Sequence, residues 1–256
     1  MNFLSVAILS VVEGISEFLP ISSTAHLILT AHLLKLHQTE FLKSFEIAIQ
    51  LGAILSVVVL YGKRFLLNFH IWKRIITAFF PTAIIGLVFY KTIKNVFFNS
   101  NVIILWSLFL GGIFLIIFEL FHHEKENSLE DISSISFLQA FMIGVFQSIA
   151  VIPGVSRAAA TIVGGLILGL KRKTIVEFSF LLAVPTMGAA VGLDLLKNAS
   201  MFTADNFLFL LVGFILSFIV AFLSIKFLLG FIKNHSFISF GVYRIILVLC
   251  FLLAKV

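Results

Sequence analysis

The chain has 256 residues, 61% of them apolar and only 12% charged, with a mean hydropathy of +1.16. Soluble domains average about half apolar and a quarter charged, so this composition excludes a soluble globular protein and describes an integral membrane protein. The net charge of +6 does not point to nucleic acid. The basic residues sit mostly in loops between apolar runs, where the positive-inside rule accounts for them, and no nucleic-acid partner is expected. Long apolar runs separated by short polar loops predict helices rather than a β-barrel, whose strands would alternate.

Taken in chain order, the first ten residues carry no basic side chain and are followed by Glu13 and Glu17, so no cleavable signal is predicted. The region of about 1–36 has short apolar stretches broken at Pro20. Runs long enough to span follow at about 42–62, 75–90 (short, with Pro81) and 102–121. The acidic stretch from His122 to Ile132 is expected to be a solvated connector. The region of about 137–170 is broken at Pro153–Gly154, and spanning runs follow at about 174–193, 207–229 and 238–254. Judged against about 20 residues per crossing, this gives six spans. Proline removes a helix hydrogen bond and glycine loosens the turn, so each broken region is expected to enter the membrane and return to the same side. The single cysteine, Cys250, excludes an internal disulfide framework and is read as a small core hydrophobe.

The two broken regions match each other. At an offset of 134, Gln147 falls on Glu13, Ile149 on Ile15, Val155 on Ile21, Ser156 on Ser22 and Arg157 on Ser23. Glu46 and Glu177 correspond at 131, so the repeat is divergent. Each half is one re-entrant hairpin plus three spanning helices; three is odd, so the second half is expected upside down relative to the first, with the hairpins meeting near the middle. The fold class is therefore an all-α polytopic membrane protein with an inverted repeat. One membrane domain covers 1–256, with repeat one at about 1–121 and repeat two at about 137–256.

Loop charges set the orientation. With the N-terminus outside, the inner side holds Lys63, Arg64, Lys73, Arg74, Lys125, Lys171, Arg172, Lys173, Lys226 and Lys233. The outer side holds Lys35, Lys43, Lys91, Lys94, Lys197 and Lys255, so the bias is ten against six. The first hairpin then opens outward.

Carboxylates, hydroxyls, an imidazole and a guanidinium are costly in hydrocarbon, and their occurrence in two matched places argues for a site. Glu13 and Glu17, four apart on one helix face, can share a cation or act as an acid/base pair. The following Pro-Ile-Ser-Ser-Thr offers the hydroxyls of Ser22, Ser23 and Thr24 and free backbone N–H groups at a helix start, suited to phosphate. His26, three residues past Ser23, can serve as its base or protonate a leaving group. Arg157, from the opposite hairpin, supplies a bidentate clamp for phosphate oxygens. Together these are the parts needed to cleave a phosphoanhydride. Plainer roles exist for each. Serines and threonines in membrane helices, Ser22, Thr24 and Thr161 among them, often only bond locally. Arg157 could form a purely structural salt bridge with Glu13 or Glu17, and Arg244, Lys226, His70, His122 and His123 read as interfacial anchors.

The stretch Glu13-GIS-Glu17-FLPISSTA-His26 resembles the glutamate-rich signature, and Pro153-GVSR-Ala158-AA-Thr161 the Pro-Gly-x-Ser-Arg signature, of the bacterial undecaprenyl-pyrophosphate phosphatases of the bacitracin-resistance type. Order, spacing, length and hydropathy agree across essentially the whole chain. The resemblance implies a membrane hydrolase that converts undecaprenyl pyrophosphate to the monophosphate carrier of peptidoglycan synthesis. It further implies a divalent cation (Mg²⁺ or Ca²⁺), a location in the bacterial cytoplasmic membrane with the site on the outer side, and bacitracin resistance. By the same resemblance Glu13, Glu17, Ser23, His26 and Arg157 are catalytic, Glu13 and Glu17 also hold the metal, and Ser22, Thr24, Ser156 and Thr161 bind substrate. One departure is Ala158, where the family commonly has serine.

The mechanism this favours has Ser23 attacking the terminal phosphorus with His26 taking its proton; attack by cation-activated water fits the residues almost as well. The main rival is an inverted-repeat transporter of an anionic or lipid-phosphate substrate. The other membrane phosphatase class is disfavoured because no Pro-Ser-Gly-His occurs. The expected partners are undecaprenyl pyrophosphate and the lipid bilayer, and nothing in the sequence excludes a homo-oligomer.

Overall fold

The computed structural model describes residues 1–37, 39–89, 100–124, 128–197 and 207–253, without the side chains of 40, 63–67 and 194–197. Of the basic residues that set the orientation, Lys91, Lys94, Lys125 and Lys255, and the side chains of Lys63, Arg64 and Lys197, lie outside that description. Among the described residues there are ten α-helices and no β-strand. They are α1 (Phe3–Ser16), α2 (Ser23–Leu33), α3 (Glu40–Leu67), α4 (Phe69–Val88), α5 (Asn101–Phe121), α6 (Phe137–Ser148), α7 (Arg157–Ile167), α8 (Arg172–Lys197), α9 (Phe207–Phe231) and α10 (Ile238–Leu253).

Side-chain caps set several starts. The Asn2 side chain accepts from the Ser5 N–H at 2.8 Å, and Ser136 accepts from Gln139 at 3.1 Å, each in a reciprocal capping box. Asn68 accepts from the N–H groups of His70 and Ile71, so α4 begins six residues before the apolar run in the sequence does. The run reads short because Lys73 and Arg74 interrupt it, yet they lie within the first turns. Lys73 rests over the Phe69 ring, and Arg74 donates to the carbonyls of His70 and Ile135. The helix continues through Pro81.

Among the described residues five helices are long and apolar enough to cross a membrane: the Phe41–Gly62 part of α3, α4, α5, the Arg172–Leu193 part of α8, and α9. The chain is thus a multi-pass membrane protein. The sixth predicted span, α10, has 16 described residues, about 24 Å of helix, against a hydrocarbon core of about 30 Å. The helices α1 and α2 have 14 and 11 residues, about 21 and 16 Å, and α6 and α7 have 12 and 11. None of these four is long enough to cross alone.

α3 packs on α9 and α8, α4 on α8 and α6, α1 on α9, and α5 on α10. One apolar cluster joins Val6 and Leu9 of α1, Leu27 and Ala31 of α2, Leu42 and Phe45 of α3, and Leu210 of α9. The first hairpin is thereby seated among the N-terminal ends of α3 and α9. The largest cluster surrounds Phe18, Phe178 and Phe180 and gathers residues from α3 to α10. Outward-facing apolar side chains such as Phe80, Trp106, Phe114, Ile219 and Leu223 fit lipid surroundings. Cys250 lies on this outer face of α10, not in the core, because the buried side of that helix is taken by Phe240, Arg244, Val248 and Phe251.

The acidic stretch after α5 is more than a solvated connector, although 125–127 lie outside the description. Leu129 exchanges backbone hydrogen bonds with Gly169 and Lys171 at 3.0 and 2.9 Å. Glu130 pairs with Lys171, which holds its carboxyl below the usual range, and the Glu124 carboxylate accepts from the Arg172 N–H at 2.6 Å. At the same end the buried Glu119 pairs with Arg172 and accepts from the Phe237 N–H at 3.2 Å, tying together the end of α5 and the starts of α8 and α10. Glu119→Gln should therefore lower stability toward the small end of the about 3–5 kcal/mol typical of breaking a buried pair, because Arg172 keeps Glu124 and the Phe237 ring. Thermal unfolding in detergent checks this; an unchanged midpoint would show that the pair contributes nothing.

Candidate active site

The break between α1 and α2 ends at Ser22, and that between α6 and α7 ends at Ser156. Both serines are helix N-caps with positive φ, 73° and 78°. For a residue with a Cβ this conformation costs on the order of 1–3 kcal/mol and persists only where the surroundings impose it. Its occurrence at positions 134 apart matches the sequence alignment of the two regions. The turns are otherwise unlike. Ser156 caps α7, accepting from the Ala159 N–H at 3.2 Å, whereas Ser22 makes no such bond. Among the described residues the N–H groups of Ser23, Thr24 and Ala25 have no hydrogen-bond partner. The start of α2 therefore presents three free donors at its positive end.

Three predicted residues come together beside those donors. The Ser23 hydroxyl donates to Glu17 Oε2 at 2.5 Å, and Arg157 donates to Glu17 Oε1 at 2.9 Å and to the Glu17 carbonyl at 3.4 Å. One carboxylate thus holds the hydroxyl of its own hairpin and the guanidinium of the other. The ion pair left open as a purely structural role for Arg157 is formed. The second guanidinium nitrogen donates to the carbonyl and hydroxyl of Ser179, at 2.8 and 3.3 Å, and Ser179 Oγ lies 2.6 Å from Thr161 Oγ1. Thr161 also donates to the carbonyls of Arg157 and Ala158, so it braces the arginine from behind. Phe18 lies below, its ring centre 5.8 Å from the guanidinium carbon.

His26 is not bonded to Ser23. Its Nδ1 is 2.7 Å from the Ser22 carbonyl and its Nε2 is 2.8 Å from the Tyr243 hydroxyl. A carbonyl only accepts, so in the neutral ring Nδ1 carries the proton and Nε2 accepts from Tyr243. The spacing of three residues suggests a Ser23–His26 pair, but the helical turn aims the imidazole back at its own N-cap, and the Glu17 carboxylate accepts the serine's hydrogen bond instead. Thr24 is half-buried and makes no hydrogen bond among the described residues.

Glu13 is fully buried against the Glu17 carboxylate, and neither of its oxygens meets a hydrogen-bond donor. Buried polar groups are otherwise almost always satisfied, so this carboxylate is incomplete without a proton, a cation or a ligand. Its counterpart Gln147 is fully buried and donates to Thr82 and Thr186 at 2.8 and 3.2 Å, so the second hairpin fills the matching place with a neutral network. No group of three or more His, Cys, Asp or Glu placed to hold a metal occurs among the described residues.

Sequence reasoning missed Ser179, Tyr243 and Arg244. Ser179 carries no signal beyond a hydroxyl in an apolar helix. Arg244 was read as an interfacial anchor, yet it is fully buried and donates to the carbonyls of Ser107, Gly154 and Val155. The signal was present, since an arginine in the middle of the Ile238–Leu253 run is as costly as the glutamates that were noticed.

The bacitracin resistance protein BacA family model matches residues 6–250. The chain is 55% identical to an undecaprenyl-diphosphatase of Aquifex aeolicus over 94% of this chain and 93% of the relative. It is 54% identical to one of a Sulfurihydrogenibium species, over 96% and 97%, and 51% identical to one of Persephonella marina, over 99% of each. Matches of this extent cover both hairpins and the helices between them, and the chain belongs to the bacitracin resistance protein BacA family.

Proposed function

We propose that the chain is an undecaprenyl-diphosphatase, a hydrolase that converts undecaprenyl pyrophosphate to undecaprenyl phosphate and inorganic phosphate. The observation that carries this reading is the Ser23–Glu17–Arg157 chain of hydrogen bonds at the uncapped start of α2. It sets a nucleophile, a proton acceptor and a permanent cation side by side, next to free N–H donors. The site would face the outer side of the bacterial cytoplasmic membrane. There it would recycle the lipid carrier of peptidoglycan synthesis and, when abundant, confer bacitracin resistance.

The fold belongs to the same proposal. Residues 1–256 form one membrane domain of two inverted repeats, each a re-entrant hairpin plus three further helices. Supporting this, exchanging the elements of one half for those of the other turns the α1–α9 contact into α6–α4 and α3–α9 into α8–α4, while α3–α8 and α5–α10 map onto themselves. The matched strain at Ser22 and Ser156 and the Glu17–Arg157 pair between the two breaks favour hairpins that meet tip to tip.

In the mechanism, Arg157 and the N–H groups of Ser23 to Ala25 bind the pyrophosphate oxygens. The Ser23 hydroxyl passes its proton to Glu17 Oε2 as its oxygen bonds to the terminal phosphorus, and the bond from that phosphorus to the bridging oxygen breaks to release undecaprenyl phosphate. Water then hydrolyses the phosphoserine. Thr161 and Ser179 hold Arg157 in place, and Ser22 and Ser156 fix the two turns. Thr24 contacts the phosphate, and His26, its ring nitrogens held by the Ser22 carbonyl and the Tyr243 hydroxyl, orients the start of α2 beside the leaving group. A divalent cation, Mg²⁺ or Ca²⁺, fits the two unpartnered oxygens of Glu13, with Glu17 as its neighbour. Glu13, with Glu17 beside it, would hold such an ion, which would supply positive charge against the pyrophosphate.

Purified protein in detergent should release phosphate from undecaprenyl pyrophosphate and lose that activity to a chelator; no release would return the transporter reading. Arg157→Lys keeps the charge but loses the planar fork, and should cost about 2–4 kcal/mol in the barrier. Near-normal turnover in that variant would remove the clamp. For Glu13→Gln, the remaining rate should respond less to added Mg²⁺ or Ca²⁺ than the wild-type rate does, and an unchanged metal titration would move the cation elsewhere. Ser23→Ala should abolish turnover and leave lipid binding intact, with a phosphoserine trappable on rapid quench of the wild type. Loss of one neutral hydrogen bond costs only about 0.5–1.5 kcal/mol, so a residual rate within about tenfold of wild type would exclude the covalent route.

A further inference from the structure

Two adjacent residues of α10 reach the two hairpins. Tyr243 places its hydroxyl 2.8 Å from His26 Nε2 with the rings nearly parallel, 8° apart at 5.6 Å. His26 in turn is anchored on the carbonyl of Ser22, the strained cap of α2. Arg244 turns inward and gathers three carbonyls: Gly154 and Val155 of the second turn, and Ser107 of α5.

The space for that guanidinium is built by small residues. A Cβ on Gly111 would fall 2.4 Å from Arg244 Nη2. α5 and α10 also cross at Gly112 and Gly241, where a Cβ on either would lie within 2.8 Å of the other's carbonyl oxygen. Gly154 has φ +98°, and a Cβ there would meet the Ile104 carbonyl and Ser107 at 2.7 Å. The second turn is pressed against α5 and held by Arg244, two residues before Ser156 and three before Arg157.

A fully buried guanidinium is expensive, and it does not serve as a partner for any carboxylate among the described residues. Its two terminal nitrogens donate to the carbonyls of Gly154 and Val155, just before Arg157, and to that of Ser107 on α5. Resting on the phosphatase reading above, we propose that Tyr243 and Arg244 are positioning residues, one fixing His26 and the other the 153–157 turn. A single helix then sets both halves of the site in register before substrate arrives.

The test uses the purified full chain with undecaprenyl pyrophosphate, together with ¹⁵N NMR of the His26 ring, assigned by a His26→Gln control. Tyr243→Phe removes one hydroxyl from a partly exposed ring. It should move the His26 Nε2 resonance and lower kcat about fivefold or more, with KM within about twofold and the unfolding midpoint unchanged. Arg244→Lys, which can satisfy fewer carbonyls, should lower kcat about tenfold or more; in an Arg157→Lys background the further loss should be under about threefold, because both changes act on one guanidinium. An unmoved Nε2 resonance with wild-type kcat in Tyr243→Phe, or fully multiplicative losses in the Arg244 and Arg157 pair, would overturn the proposal. If the wild type releases no phosphate, the phosphatase reading fails, and the positioning of His26 by Tyr243 is still decided by the resonance.

Discussion

The structure turns on one ion pair, that between Glu17 and Arg157. It is the bond between the two broken segments, and it is mostly shielded from solvent, with side-chain exposures of 5% and 12%. A pair in that setting contributes little net stability, because desolvation consumes most of the Coulomb attraction, and apolar residues of the same volume often hold a fold as well. Cohesion alone gives no reason to place it there. What the pair does fix is the relative position of the carboxylate, the Ser23 hydroxyl and the guanidinium between the two helix starts.

That view accounts for the unfinished polar groups around the pair. Arg157 Nε and the first three N–H groups of α2 have no hydrogen-bond partner and the oxygens of Glu13 meet no donor, whereas side chains cap the starts of α1 and of α3 to α7. Positive φ at two serines adds stored strain at the same place. Free backbone donors, a buried carboxylate that meets no donor and two strained caps gather where the two breaks face each other across the Glu17–Arg157 pair. In the second hairpin, at the place corresponding to Glu13, Gln147 donates to two threonine hydroxyls while its Oε1 has no partner, and the Ser156 cap is closed. The α1–α2 segment carries Glu13, Glu17 and Ser23, and the α6–α7 segment carries Arg157.

Much of this was legible in the sequence, for physical reasons that differ by element. The long helices declare themselves because a crossing needs about 20 apolar residues and little else has that pattern. The two motifs stand out because polar residues in such surroundings are expensive. What was hidden depended on three-dimensional direction. The start of α4 was obscured by Lys73 and Arg74, whose long stems lie along the helix. The expected Ser23–His26 contact failed because spacing alone does not say which way a ring points when its helix begins at a strained cap. For Arg244 the cost of an arginine in an apolar run is legible, but the space that Gly111, Gly112 and Gly241 open for it shows only in three dimensions. The salt-bridge cluster of Glu119, Glu124 and Glu130 with Lys171 and Arg172 joins residues some fifty positions apart, beyond any local pattern.

The most direct measurement is a double-mutant cycle on phosphate release from undecaprenyl pyrophosphate, using Glu17→Gln, Arg157→Gln and the pair together. If the two residues act as one unit on the same phosphate, each single change should cost about a hundredfold or more, and the double change little beyond either alone. Losses that multiply, or a single variant that keeps near wild-type turnover, would contradict the account.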